Sequence, residues 1–131
     1  MKHLLDELLG IAPFEFWYLA TPYTNYKPGP EAAFVDACQV AAWLMRRRVR
    51  VFCPIAHSHP IETLGGRDLT DHDIWLPADA PFMHAAYGLI VCEMPGWEKS
   101  YGMQQEREKF RADEKPIWHL PWPLPEEGEE E

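Results

Sequence analysis

At 131 residues the chain can hold one compact domain but not two separate cores. Apolar residues make up 47% of it, six of them Trp, which supplies a single buried core and argues against an extended, disordered chain. The formal charge of −9 is uneven, with five acids lying in the stretch Glu126 to Glu131 around Gly128. No basic patch points to a nucleic-acid polymer, because the cluster Arg46-Arg47-Arg48 with Arg50 falls at the end of a predicted helix and complements its dipole.

Leu4, Leu5, Leu8 and Leu9 share one side of a short helix predicted over residues 3–10, closed by Gly10. Phe16-Trp17-Tyr18-Leu19-Ala20 reads as a buried strand, and Thr21-Pro22-Tyr23 opens a turn-rich loop running to Gly29. Pro30 suits the first position of a helix, Glu31 its first turn, and Phe34, Ala37, Ala41 and Leu44 repeat at helical spacing. A second strand spans Val49 to Cys53 and stops at Pro54. Residues 54–73, with His57, His59, Gly65 and Gly66, read as a loop, and a helix follows between Ile74 and Ala86 with Pro81 near its start. Tyr87 to Cys92 is the third strand. Pro95-Gly96 turns the chain, Ser100 caps a helix reaching about Ala112, and Pro116 to Leu120 is the last strand.

This alternation implies an α/β fold, a three-layer α/β/α sandwich on a parallel, flavodoxin-like or Rossmann-like sheet of four to five strands. Residues 1–14 form an N-terminal helical extension, 15–121 the domain, and 122–131 a Pro/Glu-rich acidic tail that reads as a solvated end. Cys38, Cys53 and Cys92 are odd in number, widely spaced and set in apolar runs, so they read as buried free thiols in a reducing compartment. Acid follows Leu5 where a signal peptide would stay apolar, and no run approaches the roughly 20 apolar residues of a membrane span. A soluble, cytoplasmic protein is expected.

In such a sheet ligands bind beyond the carboxyl ends of the strands, which brings together the loops after Leu19, Cys53 and Cys92. On the last helix, Glu106 shares a face with Met103, Arg107 and Phe110. A carboxylate there is costly unless it pairs with a buried Arg or is used in chemistry. Gly102, one turn earlier, opens the helix start to close approach, and the N–H groups there favour an anion. Asp79 is either an N-cap or a second acid, and Tyr18 either core packing or part of a site. A carboxylate nucleophile with a second carboxyl to handle protons is the pair that glycosidic cleavage needs. His57 and His59 stand on the loop without a third ligand at convincing spacing, despite His72 and Asp73 downstream. No metal is expected, and these histidines instead suit contact with a base. No P-loop, G-x-G-x-x-G or G-x-S-x-G is present.

From Tyr18 to Leu120 the chain resembles the nucleoside 2-deoxyribosyltransferase-like superfamily, which includes nucleoside 5′-monophosphate N-glycosidases. The resemblance is carried by Tyr18-Leu19-Ala20-Thr21-Pro22-Tyr23, by Pro54-Ile55-Ala56-His57-Ser58-His59-Pro60, by Asp79, and by Gly96-Trp97-Glu98-Lys99-Ser100-Tyr101-Gly102 leading to Glu106. It implies Glu106 as nucleophile, Tyr18 as the residue orienting it, Asp79 as a proton donor near the base, and Ser100 at a 5′-phosphate. Thr21, Pro22, Trp97 and Gly102 would complete the substrate contacts. A homodimer or larger assembly is implied, and no cofactor. Tyr87 stands where the family often has an aspartate, and Arg107-Glu108 replaces a usual small or apolar pair. Two rival functions fit the same crevice, a non-catalytic nucleotide sensor and cleavage of the nicotinamide bond of NAD.

Overall fold

The computed structural model describes residues 1–66 and 72–125, leaving aside the side chains of His72 and Asp73. The acidic stretch 126–131 and the downstream His72 and Asp73 considered as metal ligands therefore lie outside the described residues. In chain order the elements are α1 (Lys2–Leu9), β1 (Trp17–Ala20), α2 (Pro30–Arg46), β2 (Val51–Phe52), α3 (Pro54–Gly65), α4 (His72–Ala85), β3 (Gly88–Cys92), α5 (Tyr101–Ala112) and β4 (Ile117–Leu120). A short 3₁₀ turn, Trp97–Lys99, precedes α5.

The four strands form one parallel sheet in the order β2-β1-β3-β4. Successive side chains alternate between its faces, and each face has its own core. Trp17, Leu19, Ile90, Cys92 and Leu120 pack with Leu8 of α1 and with Ala33, Ala37, Val40 and Leu44 of α2. Tyr18, Ala20, Leu89 and Val91 pack with Met83 of α4 and with Met103 and Phe110 of α5. The result is a three-layer α/β/α fold. Central strand β1 has every residue buried, as expected of a parallel strand covered on both faces. The indole of Trp17 also donates to the Leu8 carbonyl at 2.8 Å, which docks α1 onto the sheet.

α2 and α5 end on a left-handed residue that is not glycine. After α2, Arg48 takes a left-handed φ of 69°, and Val49 N–H bonds back to the Leu44 carbonyl. After α5, Glu114 does the same at φ 55°, with Lys115 N–H on the Phe110 carbonyl. Lys115 Nζ then donates to the carbonyls of Met83, His84 and Ala86 at 2.9, 2.5 and 2.8 Å, closing the end of α4.

Three expectations are corrected. Residues 54–65 are the helix α3, not a loop: Pro54 sits at its start, where a missing N–H costs nothing, and only Pro60 interrupts its interior. α4 starts before Ile74 and carries both Pro77 and Pro81 inside it, so Asp79 lies within a helix rather than ahead of one. The second strand shrinks to Val51–Phe52 because Val49 is taken up by the α2 terminus. Cys53 and Cys92 are buried free thiols as expected, while Cys38 is only half-buried. Among the described residues no helix is long and apolar enough to cross a membrane.

Gly88 opens β3 beside Trp17 of β1. A Cβ there would lie 2.5 Å from both the Pro116 carbonyl oxygen and Trp17 Cζ3. Gly88→Ala is therefore expected to lose about 1–3 kcal/mol of unfolding free energy in urea titrations, through overpacking between rigid strands.

Candidate active site

Strand order places β1 and β3 side by side at the centre of the sheet, with the chain leaving them toward opposite flanks. A crevice opens beyond the carboxyl ends of two such strands. It is occupied here by a cleft whose empty space, open mouth included, is about 750 Å³. Tyr18 of β1, Thr21 just after it, Asp79 of α4, Ser100 capping α5, and Gly102 and Glu106 on α5 all line this cleft.

Tyr18 is fully buried, its ring wedged between Phe52 and Phe110 at centroid distances of 5.8 and 5.5 Å. Its hydroxyl has no partner within ordinary hydrogen-bond geometry, yet it faces Glu106 closely enough to act on that carboxyl as a donor. Burial, then the charges of Glu106 and Asp79, push the phenol well above its usual range. It stays protonated at every relevant pH.

Burial likewise pushes Glu106 up to about 8; the Tyr18 hydroxyl opposes this, and the nearby Asp79 charge adds to it. Asp79, partly buried in the same cleft, rises to about 6 by desolvation, held back by His57. Arg107, which could have neutralised Glu106, instead donates Nε to the Met103 carbonyl at 3.4 Å and lies over the Trp97 ring at 5.1 Å. Ser100 is the expected N-cap: its Oγ accepts from Met103 N–H at 3.3 Å. A Cβ at Gly102 would meet nothing within 4 Å, so the space beside the α5 start is open.

Pro22, His57, His59 and Trp97 do not line the cleft. The His57 ring sits near Phe52 and Phe82, at 5.8 and 6.2 Å. His59 is buried and stacked on Phe34, bonded through Nδ1 to the Tyr23 hydroxyl at 2.7 Å and through Nε2 to Glu31 at 2.8 Å. Trp97 packs its ring on Arg107 and His119. Among the described residues no group of three or more His, Cys, Asp or Glu could hold a metal ion.

One wall went unread in the sequence. Pro54, Ser58 and Glu62 of α3 line the cleft at intervals of four residues, with Ile55 beside them. That spacing is a helix face, and it was masked by the two prolines of the segment. Trp75, Leu76 and Met83 of α4 complete the same wall.

Residues 15–120 match the family described as Domain of unknown function (DUF1937). The chain belongs to that family. Every cleft residue named above falls within the matched span of the DUF1937 domain, whereas α1 precedes it. Among curated proteins none matches the chain.

Chemically, the DUF1937 cleft offers two carboxyls that titrate apart, so that between about pH 6 and about pH 8 Asp79 is ionised while Glu106 keeps its proton, beside an un-ionised phenol. Glu106 has a folded pKa above its unfolded value, so its contribution to stability is complete below the unfolded pKa near 4.5 and is lost as pH rises through about 8. Glu106→Gln is accordingly expected to raise the melting temperature, and to raise it more at pH 8 than at pH 5. An equal effect at both pH values would contradict the buried carboxyl.

Proposed function

We propose that this chain cleaves or transfers the N-glycosidic bond of a nucleoside or nucleoside 5′-monophosphate. The observation that carries the proposal is the convergence of Glu106, Asp79 and the buried hydroxyl of Tyr18 on one cleft at the carboxyl ends of β1 and β3. The likeness of its motifs to the nucleoside 2-deoxyribosyltransferase-like superfamily supports the same assignment.

At rest Glu106 holds the proton; in the reactive form it has passed to Asp79 and Glu106 is bare. The Tyr18 hydroxyl favours this arrangement, and so does positive charge developing at the anomeric carbon. The Glu106 carboxylate attacks that carbon as its bond to the base nitrogen breaks; the bonding electrons leave with the base, and Asp79 delivers the proton to it. The resulting glycosyl ester is cleaved by water, whose proton returns to Asp79, or by a second base. Ser100 and the open start of α5 suit the 5′ end, where backbone N–H groups and the helix dipole favour a phosphate. No step calls for a cofactor. The chain acts in the cytoplasm, where its free thiols stay reduced, and a second copy completes the assembly.

Base release from a panel of nucleosides and their 5′-monophosphates, followed by chromatography with and without a second base, tests the proposal. Glu106→Ala is expected to lower kcat/KM by on the order of 10³-fold or more. Exchange that needs a second base would mark a transferase, and nucleotide binding without any turnover would mark a sensor. The pH profile follows from the pair: below about 6 both carboxyls are protonated and no nucleophile remains, whereas above about 8 both are ionised and no acid remains. A bell-shaped kcat/KM between those limbs is expected. A rate that rises steadily through pH 9 would rule out the acid role of the pair.

A further inference from the structure

Glycosidic chemistry leaves one carboxyl of the cleft unused. Glu62 of α3 lines the same cleft as Glu106 and Asp79. Its Oε2 lies 3.3 Å from the Tyr23 hydroxyl, which also meets His59 Nδ1 at 2.7 Å, while His59 Nε2 meets Glu31 Oε2 at 2.8 Å. This chain of contacts ties α2, the loop after β1 and α3 into one unit. His59 is 5% exposed and stacked on Phe34, so the support behind Tyr23 is rigid. Two residues before Tyr23, the Thr21 hydroxyl is buried, lines the cleft and has no hydrogen-bond partner. A buried hydroxyl left unpaired costs free energy that a polar group of a ligand would recover.

The cleft lining therefore carries, besides Glu106, Asp79 and Tyr18, a second polar group of Glu62, Tyr23 and Thr21. We propose that Glu62, beside Tyr23 and joined by Thr21, reads the nucleobase and selects bases carrying an exocyclic amine. This rests on the glycosidic assignment of the same cleft. A carboxylate only accepts hydrogen bonds, and its lone pairs suit an amino group. A keto oxygen in that place would face carboxylate oxygen with no proton between them. Thr21 both donates and accepts, so it tolerates either neighbour on the ring.

The test is calorimetric titration of the full chain with adenosine and cytidine 5′-monophosphates against uridine and inosine 5′-monophosphates, with base release measured alongside. The amine-bearing pair is expected to bind more tightly by on the order of tenfold to a hundredfold. Glu62→Gln keeps the size but adds a donor, so it is expected to weaken the amine-bearing nucleotides and strengthen the keto ones. Tyr23→Phe, which removes the hydroxyl beside the carboxylate and loosens His59, is expected to narrow the preference without reversing it. If Glu62→Gln shifts all four nucleotides together or none of them, Glu62 does not read the base. Release of every base at one rate would overturn this inference and leave the glycosidic assignment standing. Amine-selective binding without release would do the opposite, and no binding of any nucleotide would end both.

Discussion

A carboxyl packed against the apolar face of a sheet must be neutralised, protonated or put to use, and Glu106 makes that choice the central constraint of this molecule. Its helix neighbour Arg107 turns away to Trp97, and what faces the carboxyl is a phenol and a second acid. Protonation is the physical answer. The arrangement holds only because Tyr18 cannot move: it lies in a strand bonded on both sides, with aromatic rings on either face of its own ring. An unpartnered buried hydroxyl and a carboxyl raised to about 8 are costs that a fold optimised for stability alone would shed.

Those costs are offset by packing elsewhere. The opposite face of the sheet holds the larger core, with Trp17 anchored to α1 and the small side chains of α2 allowing close approach. α4 carries Asp79 between two prolines, each of which removes a helical hydrogen bond, and its far end is closed by the ammonium of Lys115 on three carbonyls. The segment holding the acid is thus weakly bonded within itself and held by its ends and by Met83 in the core.

The second polar group of the cleft is built differently. Tyr23, His59, Glu31 and Glu62 come from three elements and form a linked series of hydrogen bonds at the cleft wall. Where the first stores unpaired polar atoms, the second satisfies most of its own and offers acceptor capacity outward, with Thr21 the exception.

Much of this was legible in the chain itself. The run Trp17 to Ala20, the period of α2, Ser100 as a cap and the placement of Glu106 on the inward face of α5 all follow from local spacing, because apolar periodicity and capping act within a few residues. The convergence of Tyr18, Thr21, Ser100, Gly102 and Glu106 was legible too, since parallel strands bring their carboxyl-end loops together whatever the details. Asp79, inside α4 ahead of β3, was tied to the site only by the family resemblance. Tertiary structure decided the rest. Pro54, Pro60, Pro77 and Pro81 read locally as breaks, yet packing against α2 and the sheet keeps α3 and α4 helical, which moves His57 and His59 off the cleft and brings Glu62 onto it. Whether Glu106 would pair with a buried Arg was left open by local spacing, because only the meeting of α5 with β1 determines which groups face the carboxyl.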